Sequence, residues 1–98
     1  MSEAPAETRT VHVRIEGRVQ GVWFRGWTAQ LAEELALSGW VRNRHDGAVE
    51  AMFSGPADAV AEMLRRCADG PPSARVARVR IVQEGGAVPP GFEVKPTV

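Results

Sequence analysis

Within fifteen residues near its start the chain changes hydrophobic period from two to between three and four, and this switch restricts what it can fold into more than any other feature. Val11, Val13 and Ile15 alternate with His12, Arg14 and Glu16, the pattern of a strand with one face buried. From Trp23 to about Ala36, Phe24, Thr28, Leu31, Ala32 and Leu35 recur at three- and four-residue intervals while Gln30, Glu33 and Glu34 take the opposite side, the pattern of an amphipathic helix. Between them lies Gly17-Arg18-Val19-Gln20-Gly21-Val22, so two glycines fall at a strand-to-helix corner. The first amides of a helix have no partner within it and carry the positive end of the helix dipole. Such a corner can collect an anion, phosphate above all, on several N–H groups at once. Gly17 and Gly21 are expected to let the backbone curl and a ligand approach. Arg25, in the first turn, can add a guanidinium that grips two phosphate oxygens together.

The rest of the chain reads in the same terms. Residues 1–8 hold little that can be buried and are expected to fray, leaving residues 9–98 as one domain. The first strand is predicted from Arg9 to Glu16. Trp40 to Asn43 and Ala48 to Phe53 read as two strands joined at Asp46-Gly47, a hairpin signal. Gly55-Pro56 opens a second helix with the proline at its first position, and Val60, Met63, Leu64 and Cys67 make its apolar stripe. Ala74 to Gln83 returns to an extended pattern, and Phe92-Glu93-Val94 reads as a short closing strand, with Pro96 discouraging pairing beyond it. The order strand, helix, strand, strand, helix, strand predicts an α+β, ferredoxin-like split βαβ sandwich: an antiparallel sheet with both helices on one face.

Several functions are argued against. Twelve basic and twelve acidic residues cancel, so no net field recruits nucleic acid or an anionic membrane. The sheet face that would bear RNA carries His12, Arg14, Glu50 and Met52, with no aromatic platform foreseen. His12 and His45 are far apart and read as solvated surface residues; Cys67 stands alone, so no metal ligand set is expected. The single cysteine, the want of a leader and of a long apolar run point to a cytoplasmic protein. No serine, cysteine or threonine has histidine and carboxylate partners nearby in sequence. What is left is the anion nest.

Ile15-Glu16-Gly17-Arg18-Val19-Gln20-Gly21-Val22-Trp23-Phe24-Arg25 resembles the first signature of the acylphosphatase family. Gly39-Trp40-Val41-Arg42-Asn43, followed by Asp46-Gly47-Ala48-Val49-Glu50 and Gly55, resembles its second. The resemblance runs from about Val11 to Val94. It implies hydrolysis of small acyl phosphates without a cofactor. Arg25 would bind phosphate, Asn43 would orient the attacking water, Arg18, Val19, Gln20, Gly21 and Val22 would form the backbone cradle, and Gly17 and Thr28 would support it. Inorganic phosphate would be product and competitive inhibitor, and a monomer would suffice. The alternative is a non-catalytic phosphate-binding or protein-interaction module of the same fold. Gly26 stands where that family has a bulky residue, and Ala36 where it has glycine between two leucines. Nothing in the sequence obviously selects the acyl group.

Overall fold

The computed structural model describes residues 7–98, so residues 1–6 of the expected tail lie outside the described residues. Seven elements follow one another: β1 (Thr8–Arg18), α1 (Phe24–Glu34), β2 (Ser38–Asn43), β3 (Val49–Pro56), α2 (Ala57–Cys67), β4 (Arg75–Glu84) and β5 (Phe92–Val94). The strands form one sheet in the order β4-β1-β3-β2-β5. The ferredoxin-like arrangement is therefore present, with one difference from the expected all-antiparallel sheet. β5 pairs parallel to β2, because the chain crosses from the β4 edge to the opposite edge before adding its last strand. Pro96 does not end the association with β2. Lys95 N–H donates to the Val41 carbonyl and Val98 N–H to that of Asn43, so the two bonds straddle the residue that has no N–H to give.

Register places the apolar residues on one face: Val11 opposite Phe53, Val13 opposite Ala51, Ile15 opposite Val49, and Val41 opposite Ala51. All seven are buried completely. Phe24, Leu31 and Ala32 from α1 and Val60, Met63 and Cys67 from α2 join the same cluster, so both helices cover that face. Burial pushes the Cys67 thiol up to about 12, which leaves it an inert core residue. Two boundaries fall differently from expectation: β1 begins at Thr8, and Pro56 caps α2 rather than occupying its first turn. At the β4 edge Ile81 stays 41% exposed. Among the described residues no helix is long and apolar enough to cross a membrane.

The other face of the sheet is a charged network. Glu50 lies at its centre, accepting from Arg42 Nε at 2.8 Å and Arg44 Nη1 at 2.9 Å, with His12 Nε2 at 2.5 Å. His12 is thus half-buried rather than solvated, and Trp40, 5.8 Å from it ring to ring, supplies an aromatic side chain that this face was not expected to have. Arg42 and Lys95 lie over the Trp40 ring, so the indole is covered by cations rather than left open for a base.

Burial alone would raise the Glu50 carboxyl, but hydrogen bonds from Arg42, His12 and Arg44 outweigh it and hold the group at about 2. A depressed carboxyl stabilises the fold fully above its ordinary value of 4.5 and loses that contribution as pH falls toward 2. Glu50→Gln is expected to destabilise by about 1–3 kcal/mol at pH 7 and to flatten the stability profile between those two values. Urea unfolding at pH 7 and pH 3 checks this, and an unchanged difference between them would remove Glu50 from the acid response. A second expectation concerns the end of α1. Ala36 N–H bonds to Glu33 and Leu37 N–H to Ala32, a Schellman closure that places Ala36 at φ 56° where glycine is at home. Ala36→Gly is expected to stabilise the fold by about 0.5–1 kcal/mol, read from urea midpoints; a loss would refute the assigned strain.

Candidate active site

β1 ends at Arg18 and α1 begins at Phe24, leaving a short irregular loop at the end of the sheet where β1 and β2 both finish. Gly21 in it has φ 74° and open space where a Cβ would stand, so the backbone conformation and not crowding calls for glycine. Gly17 differs from expectation. Its φ is 127°, and a Cβ there would stand 2.3 Å from the Arg75 carbonyl oxygen and 2.6 Å from Ala77 N, at a register shift between β1 and β4. Gly17 lets β4 approach closely.

The loop, α1's opening and the end of β2 enclose a cleft of about 330 Å³. Val19, Gln20 and Gly21 form one wall, residues 23–26 a second, and Asn43 and Val94 a third. Arg25 and Asn43, 18 positions apart in the chain, thus share one cavity. Arg18 and Val22 do not line it: Arg18 is an exposed strand end opposite Arg75, and Val22 packs on the core. Thr28 lies below, completely buried, its hydroxyl without a hydrogen-bond partner among the described residues.

Three features make the cleft suited to an anion. Arg25 is the single charged residue among those lining it. It makes no ion pair among the described residues, while Arg9, Arg14, Arg42, Arg44 and Arg78 are each bonded to a carboxylate. Among the described residues no side chain caps α1, no acidic residue occupies its first turn, and the first α1 amide to bond back along the chain is that of Trp27, to the Trp23 carbonyl. The N–H groups ahead of it keep their donor capacity.

The part of Gln20 that sequence did not reveal is its side chain. Gln20 Nε2 donates to the Arg44 carbonyl at 2.7 Å and the Ala48 carbonyl at 2.9 Å. The same two residues close the β2–β3 turn on themselves, Arg44 N–H to Ala48 and Gly47 N–H to Arg44, and Asp46 Oδ1 accepts from Ala48 N–H. One amide therefore ties the cradle to the turn next to Asn43. Trp23, Gly26 and Val94 also line the cleft without having been foreseen; Trp23 is a tryptophan at φ 65°, and no local sequence rule announces that.

The sequence model of acylphosphatases matches residues 11–94. The chain belongs to the acylphosphatase family. It is 54% identical over 90 residues to an acylphosphatase of Rhodospirillum rubrum, covering 92% of this chain and 99% of that one, and 54% identical over 90 residues to one from Rhizorhabdus wittichii, covering 92% and 89%. Its fold is similar to the acylphosphatase structure from Coxiella burnetii, with a TM-score of 0.85 at 36% identity over 90% of this chain and 93% of that one. The Bacillus subtilis acylphosphatase gives a TM-score of 0.82 at 30% identity, covering 91% and 99%.

In this acylphosphatase the Gln20 clamp is open to direct test. Gln20→Leu is expected to lower stability by about 1–2 kcal/mol and to speed hydrogen exchange at the Arg44 and Gly47 amides. Exchange left at the wild-type rate would show that the turn holds itself.

Proposed function

We propose that this acylphosphatase hydrolyses small acyl phosphates, the mixed anhydrides of a carboxylic acid and phosphate, to carboxylate and inorganic phosphate. The observation that carries the reading is that Arg25, unpaired among the described residues, and Asn43 line one cleft that opens at the uncapped start of α1.

The chemistry asks little of the protein. Water oxygen attacks phosphorus, the bond from phosphorus to the bridging oxygen breaks, its electron pair leaves with the carboxylate, and the water proton ends on phosphate or solvent. The departing group has a conjugate acid of pKa about 4, so it needs no proton donor at neutral pH. A loose, metaphosphate-like transition state needs little help from a base. Two tasks remain: stabilising charge on the non-bridging oxygens and holding one water in line.

Arg25 and the backbone N–H groups of the cradle perform the first, and the Asn43 side-chain amide performs the second. Gln20 contributes by position, since its amide is bonded to two carbonyls. Thr28, three residues on from Arg25, supports the site from the buried face of α1. Inorganic phosphate competes for the same cradle. Every group in this scheme comes from one chain, which supports action as a monomer. We assign the protein to the cytoplasm, since its lone cysteine is free and buried and the fold uses no disulfide.

Hydrolysis of benzoyl phosphate in the presence of a chelator tests the scheme. Arg25→Gln is expected to lower kcat/KM by about 100-fold or more and to weaken inhibition by phosphate. Asn43→Ala is expected to lower kcat by a similar factor while phosphate still inhibits. A folded wild type that binds phosphate and turns nothing over would leave a binding module in place of the enzyme.

A further inference from the structure

The cradle and Arg25 account for the phosphoryl group and leave open which acyl group may be attached to it. Two of the exposed large apolar residues of the protein, Trp23 at 59% and Val94 at 48% exposure, line this cleft. Ile81, Val82 and Val98 are also exposed but lie outside the cleft; Trp23 and Val94 are brought together at one opening, which suits an apolar occupant.

Trp23 is held there by its backbone. At φ 65° and ψ 26° it caps α1 in the left-handed region, which a residue with a side chain adopts only against a steric penalty. The result is that its indole turns back over the first turn of the helix and lies across Gly26. A Cβ at Gly26 would stand 2.1 Å from Nε1, 2.6 Å from Cε2 and 2.8 Å from Cδ1 of that ring. Three atoms of the five-membered ring at such similar distances mean that the ring covers the Gly26 Cβ direction, and any larger residue would evict it. One face of the ring is seated on the helix, and much of the residue remains open to the cleft.

We propose that Trp23 is the residue that selects the acyl group, a platform on which a flat apolar acyl chain stacks, so that aromatic acyl phosphates are used in preference to acetyl phosphate. The proposal rests on the acyl phosphate reading given above. A flat ring can desolvate the indole and stack on it, whereas a methyl group covers too little of it. The polar neighbours do not compete for the acyl chain, since the Gln20 amide is already engaged. Val94 closes the same opening with a second apolar side chain.

The test compares kcat and KM for benzoyl phosphate and acetyl phosphate in the wild type, Trp23→Gly and Gly26→Ala. Glycine suits the left-handed position and removes the platform; alanine at 26 keeps the tryptophan and displaces its ring. In both variants the ratio of kcat/KM for benzoyl over acetyl phosphate is expected to fall about three- to tenfold, through a higher KM for benzoyl phosphate. A ratio unchanged in Trp23→Gly overturns the proposal, and one unchanged in Gly26→Ala overturns the seating of the ring. Wild-type turnover of acetyl phosphate separates the two levels: with it, the acyl phosphate reading stands whatever the ratios do; without turnover of either substrate, that reading and this proposal fall together.

Discussion

The site has two halves carried by strands that do not touch. β1 leads into the cradle and β2 ends at Asn43, but β3 lies between them in the sheet. Both pair antiparallel to β3, so they run in the same direction and finish at the same end of the sheet. Topology brings the halves to one end, and it does not by itself fix the distance between them. The Gln20 side chain supplies that last constraint by reaching past the start of β3 to two carbonyls of the turn. Because the amide donates both bonds, no rotation of the turn can satisfy one carbonyl without moving the other.

Electrostatics then distinguishes the arginine of the cleft from those of the open sheet face. With equal numbers of acidic and basic residues, the protein has no net charge with which to gather an anionic substrate. On the open face of the sheet Arg14, Arg42, Arg44 and Arg78 are taken up by Glu16, Asp46 and Glu50. The Ala48 N–H at Asp46, and the arginines around Glu16 and Glu50, hold the three carboxyls below their ordinary range, and the cations of that network are largely neutralised. Arg25 alone among the cleft residues is charged, so the attraction this cleft offers an anion is local, short-ranged and less sensitive to salt than a surface field.

Much of this was legible in the chain because the decisive patterns are local. Alternation fixed the core face of β1, the three-and-four spacing fixed both helices, and Asp46-Gly47 fixed the hairpin; the two signatures pointed to Arg25 and Asn43. What could not be read depends on contacts between distant positions. Gly17 looks like a ligand glycine until Arg75 and Ala77 are seen beside it, 58 and 60 positions along the chain. Trp40 reaches the open face through its register with Met52, and β5 joins β2 in parallel across the full width of the sheet. The second role of Gln20 needs the turn to be in place before its acceptors exist.

Among the described residues, the two left-handed ones without the excuse of glycine bracket the same helix, Trp23 before α1 and Ala36 after it, and their strain has different origins. At Ala36 the carbonyls of the last turn are satisfied by the usual closing bonds, and a glycine would do the same work without the strain. At Trp23 the strained backbone is what carries the indole onto Gly26, in the wall of the cleft. An outlier whose removal would only improve the fold says little about function, whereas one that positions a side chain in the cavity ties a stability cost to a task. Helix α1 tolerates both because Phe24, Leu31 and Ala32 anchor it in the core, so its start does not depend on a side-chain cap.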